Sequence, residues 1–175
     1  MSPQFLALSQ VDFITIGTVG SPGRRTFYLQ ASQGDLLVSM IIEKEHAAAL
    51  SLGIYELIEQ LGGIEEDALL PADLELREPL RPLFRVANLG LGYDEEKEAI
   101  VVVAHALGGG EEGEYPEVHL WGSQAQMFAL SQRAAEVVAA GRPRCPLCDE
   151  PLMPGERHVC VRDNGHDKFV YTLDE

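Results

Sequence analysis

"VDFITIGTVGSPGRRTFYLQASQGDLLVSMIIEKEHAAALSLGIYELIEQL", Val11 to Leu61, decides the fold, because its hydrophobic period changes once along its length. Up to Ile42 the residues are rich in β-branched and aromatic types. Two turn signals interrupt them, Ser21-Pro22-Gly23-Arg24 and Gln33-Gly34-Asp35. Together these predict a three-stranded antiparallel meander. After Glu43 the period lengthens. Leu50, Ile54, Leu57, Ile58 and Leu61 fall at helical spacing and form one apolar stripe. Gly62-Gly63 ends that helix. Gly53 inside it costs roughly 1 kcal/mol relative to Ala.

The pattern returns further along. Residues 64–83 are acidic, carry three prolines and read as a connector with room for a short turn of helix. "FRVANLGLGY" and "EAIVVVAHAL" flank Asp94-Glu95-Glu96-Lys97, a polar hairpin turn. "GGGEEGEYP" is a flexible acidic loop, and "EVHLW" is a further strand. A second helix opens on Ser123 with Gln126 three residues on, a capping box. Its stripe is Met127, Leu130, Ala134, Val137 and Val138, and Gly141 and Pro143 close it. The expected fold class is α+β. Two βββα units, about 11–62 and 84–141, form a two-layer antiparallel sheet/helix domain over residues 1–141. The halves are either an internal duplication or two hairpin-plus-helix units sharing a sheet. Residues 142–175 are expected to be a zinc-binding C-terminal tail.

The tail rests on "CPLCDEPLMPGERHVC", residues 145–160, which holds all 3 cysteines of the chain. Cys145 and Cys148 are spaced as a knuckle that brings two thiolates to one ion. His158 and Cys160, at i and i+2, share one face of a strand. The four make a Cys₃His set, which tetrahedral Zn²⁺ takes readily. His166, six residues past Cys160, is the alternative fourth ligand. Four protein ligands leave no position for a catalytic water, so the expected Zn²⁺ is structural. An odd cysteine count in one cluster disfavours a secreted disulfide framework.

Bulk properties narrow the function. With 28 acidic against 13 basic residues the net charge is −15, which repels phosphate backbones at long range. Arg142, Arg144, Arg157 and Arg162 are interleaved with Asp149, Glu150, Glu156 and Asp163 and make no clean basic surface. Nucleic acid is therefore not an expected partner. No apolar run approaches the ~20 residues of a membrane span, and Met1-Ser2-Pro3-Gln4 lacks the basic start of a signal peptide. The expectation is a soluble cytoplasmic protein with no membrane partner.

Several stretches, "GTVGSPGRRTFYLQA", "EKEHAAAL", "FRVANLGLGYDEEKEAIVVVAHA", "AAGRPRCPLC" and "HVCVRDNGH", together resemble the DUF3090 family, an uncharacterised bacterial family. The resemblance covers nearly the whole chain. Where family members read CPLCG, GHxC and NGY, this sequence has Asp149, Arg157 and His166, and none of these changes touches the first-ranked zinc ligands. The resemblance implies a fold and a tail, and no activity.

Other residues carry weaker signals. Gly17 to Arg25 is glycine-rich, and Arg24 and Arg25 would make it an anion-binding loop. It lacks the Lys-Ser/Thr of a phosphate-binding P-loop. Glu43, Glu45 and His46 open the first helix, where acids suit the dipole. His105 and His119 stand on neighbouring strands, where they could face each other across a sheet, and read first as two separately solvated or satisfied histidines. With no Gly-x-Ser-x-Gly elbow, the expected function is a non-enzymatic binding or adaptor protein for a protein partner. The alternative is an enzyme or ligand-binding protein acting on a phosphorylated small molecule, with Arg24 and Arg25 holding the anion.

Overall fold

The computed structural model describes residues 5–21, 23–64, 73–109, 116–140, 157–159 and 170–172. They fall into two compact units, one within Met1–Val19 and Thr26–Val138, the other within Gly20–Arg25 and Ala139–Glu175.

The first unit is α+β. Its strands are β1 (Phe5–Leu8), β2 (Phe13–Val19), β3 (Thr26–Gln33), β4 (Leu36–Ile42), β5 (Pro82–Asp94), β6 (Ala99–Ala106) and β7 (Glu117–Gly122). Helix α1 (Lys44–Gln60) follows β4, and α2 (Gln124–Ala140) follows β7. The strands form one seven-stranded sheet in the order β1-β7-β6-β5-β4-β3-β2. β2–β3–β4 is an antiparallel meander, and so is β5–β6–β7. The sheet is nevertheless mixed, which corrects the wholly antiparallel sheet expected above. β4 joins β5 in parallel, and β1, which the pattern reading missed, runs parallel to β7.

Chain geometry shows that this sheet curls. β1 and β2 lie at opposite edges, about 29 Å apart if seven strands at ~4.8 Å spacing lay flat. Only Ser9–Asp12 joins them, and five residue steps reach about 18 Å at most. The edges must therefore approach one another. Two successive residues make the closure: Val11 N–H donates to Trp121 O (2.9 Å) and Asp12 N–H to Ser32 O (2.8 Å).

One face of the sheet carries both helices. Ile14, Ile16, Leu29, Ala31, Val38 and Met40 from the first meander join Ile100, Val102, Ala104, Val118 and Leu120 from the second in a single core. The helices add Leu50, Ile54, Ile58, Met127, Leu130 and Ala134. Ser51 Oγ donates to Ser131 O at 2.7 Å and ties α1 to α2. The capping box of α2 is made in full. Ser123 N–H donates to Gln126 Oε1 (2.9 Å) and Gln126 N–H to Ser123 Oγ (3.1 Å).

β5 changes face partway. Its register against β6 shifts between Val86 and Asn88, a β-bulge that adds one residue. Phe84 and Val86 pack on the core before it, and Leu89, Leu91 and Tyr93 pack on it afterwards. Unbroken alternation would have turned that second set outward.

On the opposite face, residues 73–81 cross β2–β3–β4 as an extended strap, where the connector was expected to have room for a helical turn. Polar groups latch it. The hydroxyl of Thr15 donates to Leu74 O. Buried Gln30 donates from Nε2 to Arg77 O (2.9 Å) and accepts Arg77 N–H at Oε1 (2.7 Å). The Arg77 guanidinium lies 3.7 Å from the centre of the Phe13 ring. Gly17 belongs to β2, not to a glycine loop. A Cβ there would sit 2.5 Å from Leu76 Cγ, so its missing side chain seats the strap.

Within the second unit, β8 (Arg157–Val159) and β9 (Val170–Thr172) form an antiparallel pair with His158 opposite Tyr171. Arg24 N–H donates to Ser21 O at 2.9 Å, closing a turn in which Gly20 and Gly23 adopt φ of 109° and 88°.

Candidate functional site

The strap covers β2–β3–β4, and the rest of that face presents a row of chemically distinctive side chains. Alternation in β7 turns Val118 and Leu120 to the core and Glu117, His119 and Trp121 to the opposite face. In β6 the same rule turns Val101, Val103 and His105 outward. His105 pairs in register with Glu117, one step from His119.

Glu117 lies between the two histidines. Its Oε1 is 2.8 Å from His119 Nε2 and 4.0 Å from His105 Nδ1. His119 is hydrogen-bonded to that carboxylate, while His105 stands beside it at a distance too long for a hydrogen bond. Phe5 of β1 stacks on the His119 ring at 4.5 Å. Trp121 lies 5.6 Å from the same ring, tilted by 47°. Asp94 Oδ2 accepts the indole N–H at 3.2 Å, and Lys97 Nζ lies 3.8 Å from the indole centre. Asp94 also folds the hairpin turn, accepting the N–H groups of Glu96 and Lys97 at Oδ1. Beside this row is a depression of about 420 Å³, lined in part by Ser9, Gln10, Lys97, Trp121 and Ser123.

A second feature lies where α1 passes β5. His46, Ala49, Leu50 and Gly53 make one wall of a groove of about 280 Å³, and Ala87 to Leu91 make the other. His46 positions the walls. Its Nδ1 accepts the Glu43 N–H at 3.0 Å, so the neutral ring carries its proton on Nε2 and donates it to Ala87 O at 3.2 Å. Glu43 in turn pairs with Arg85 at 2.6 Å, an exposed pair of small energetic weight. Gly53 lines the groove, and a Cβ there would come within 3.3 Å of Leu91.

The other sequence-derived candidates stand elsewhere. Arg24 is exposed and Arg25 half-buried in the Gly20–Arg25 turn. His158 stands in β8. Cys145, Cys148, Cys160 and His166 lie outside the described residues. Among the described residues no group of three or more His, Cys, Asp or Glu side chains is arranged to hold a metal ion. No described helix is long and apolar enough to cross a membrane. Pattern reading missed the Phe5–His119–Trp121 row because Phe5 comes from β1, which only pairing brings beside β7. The odd-numbered positions of "EVHLW" were its one local signal.

Fold and surfaces define the class: an α+β protein on a curled mixed sheet, with an aromatic, acidic and histidine-bearing row on its helix-free face. The chain belongs to the DUF3090 family, described as proteins of unknown function, whose family model matches residues 6–160. None of the curated proteins and none of the solved structures compared with it matches.

Proposed function

We propose that this protein is a non-enzymatic binding protein, and that the Phe5–His119–Trp121 face receives a cationic side chain of a protein partner. The observation that carries the reading is Lys97 seated over the indole of Trp121 with Asp94 holding the indole N–H. An aromatic face rimmed by carboxylates is where an ammonium or guanidinium gains both cation–π and Coulombic attraction. Lys97 is a tethered, exposed cation that a partner's arginine would displace. The net charge of −15 supports the reading by drawing basic partners in at long range.

Trp121 is the one tryptophan in the chain, so its fluorescence reports on this face directly. Titration with a short Gly-Arg-Gly-Arg-Gly peptide is expected to quench the emission saturably and to weaken with added salt. Lys97→Ala is expected to tighten the peptide and Glu117→Gln to loosen it. Emission indifferent to millimolar peptide in the wild type and in Lys97→Ala would sink the proposal.

We also propose that Cys145, Cys148, His158 and Cys160 hold a structural Zn²⁺. Support comes from their number and spacing.

A further inference from the structure

The groove between α1 and β5 has a wall of unusual kind. β4 pairs with β5 only at Ser39 with Pro82 and at Ile41 with Arg85. The chain then leaves β4 and enters α1, while β5 runs on to Asp94. From Ala87 to Leu91 β5 pairs with β6 on one side, and among the described residues no strand pairs with it on the other. In an antiparallel pair every second residue directs its N–H and C=O away from the partner strand. One such group, the carbonyl of Ala87, is taken by His46 Nε2 on the groove side.

The opposite wall is apolar. His46, Ala49, Leu50 and Gly53 form a stripe along α1, and the lack of a side chain at Gly53 keeps the groove open. Helical spacing places Glu45, Leu52 and Glu56 on the adjoining outer stripe, and all three are exposed. Arg85 neutralises Glu43, which leaves Glu45 and Glu56 as the charges of this rim.

We propose that this groove binds an extended segment of a protein partner by strand addition to β5, with apolar side chains at alternate positions and a basic residue beside them. A strand edge unpaired among the described residues calls for a backbone partner, since only another extended chain offers donors and acceptors at the strand repeat. The apolar stripe takes every second side chain. The acidic rim selects a lysine or arginine next to them. This site is separate from the Trp121 face, and either can fail without the other.

The experiment uses the full-length protein and a defined probe, acetyl-Lys-Lys-Val-Thr-Val-Thr-Val-Lys-amide, followed by amide NMR and hydrogen exchange. Binding is expected to shift the resonances of Ala87 to Leu91 and to slow exchange at the edge-facing amides. A copy of the probe N-methylated at alternate residues keeps its side chains and loses its donors, so it should bind at least tenfold more weakly. Ala49 is exposed, so Ala49→Trp should leave the thermal midpoint in place while overhanging the groove and weakening the probe by a similar factor. Equal binding of the parent and N-methylated probes would overturn the proposal. So would edge amides from Ala87 to Leu91 already protected in the free chain, which would reveal a partner strand within it. Protection that appears only as protein concentration rises, with dimers in sedimentation, would assign the edge to a second copy and overturn it equally.

Discussion

His46 and Ala87 are joined by a hydrogen bond of 3.2 Å from imidazole Nε2 to the backbone carbonyl, at the point where β5 bulges. The other ring nitrogen holds the Glu43 N–H at the start of α1. One side chain thus closes a helix terminus and a strand irregularity together. His46→Ala removes both bonds and is expected to cost about 1–2 kcal/mol. Urea unfolding checks the value. Unchanged stability would mean that water replaces both bonds without loss.

Gln30 is the centre of the strap latch. Besides its two bonds to Arg77, its Nε2 donates to Ser39 Oγ at 3.0 Å. Gln30→Leu leaves buried polar groups unpaired, at about 1–3 kcal/mol each. Amides of residues 73–81 should exchange faster in this variant, while those of β6 change little. Equal acceleration everywhere would show that the strap and the sheet open as one.

Gly17→Ala inserts a methyl where Leu76 already sits. Overpacking of this kind costs about 1–3 kcal/mol. The double variant Gly17→Ala with Leu76→Ala is expected to regain part of that loss, because the added methyl then occupies space the leucine leaves. A purely additive double variant would place the strain elsewhere.

The proposed zinc site makes a prediction with a direct readout. Wild-type protein should carry about one Zn²⁺ per chain by elemental analysis, and Cys148→Ser should lose it, since three ligands hold the ion far less tightly than four. The near-ultraviolet signal of Trp121, which lies in the first unit, should persist in that variant. Zinc retained by Cys148→Ser would remove this cysteine from the ligand set.

Local pattern was enough for much of the fold. Runs of β-branched and aromatic residues between turn signals marked β2, β3 and β4, a period near 3.6 marked α1, and Ser123 with Gln126 announced the capping box that opens α2. These signals are legible because neighbours along the chain make them. The acidic composition and the family were legible in the same way. The groove was barely visible: His46 stood out as a helix-start histidine, and Gly53 showed only as an unfavourable helix residue. Its role needs Leu91, thirty-eight positions away.

By itself, then, the sequence determined both helices and the strands of the two meanders, the apolar stripes of the helices, and that the cysteines cluster at spacings suited to zinc. Tertiary structure alone decided that the sheet is mixed and curled, that residues 73–81 strap one face, and that Glu117 stands between two histidines. It also left the edge of β5 facing α1 across a groove. The physical reason is that strand pairing is a contest among distant segments of similar hydrophobicity. Chain reach, one bulge and a glycine without a Cβ decide it, and no local period records the outcome.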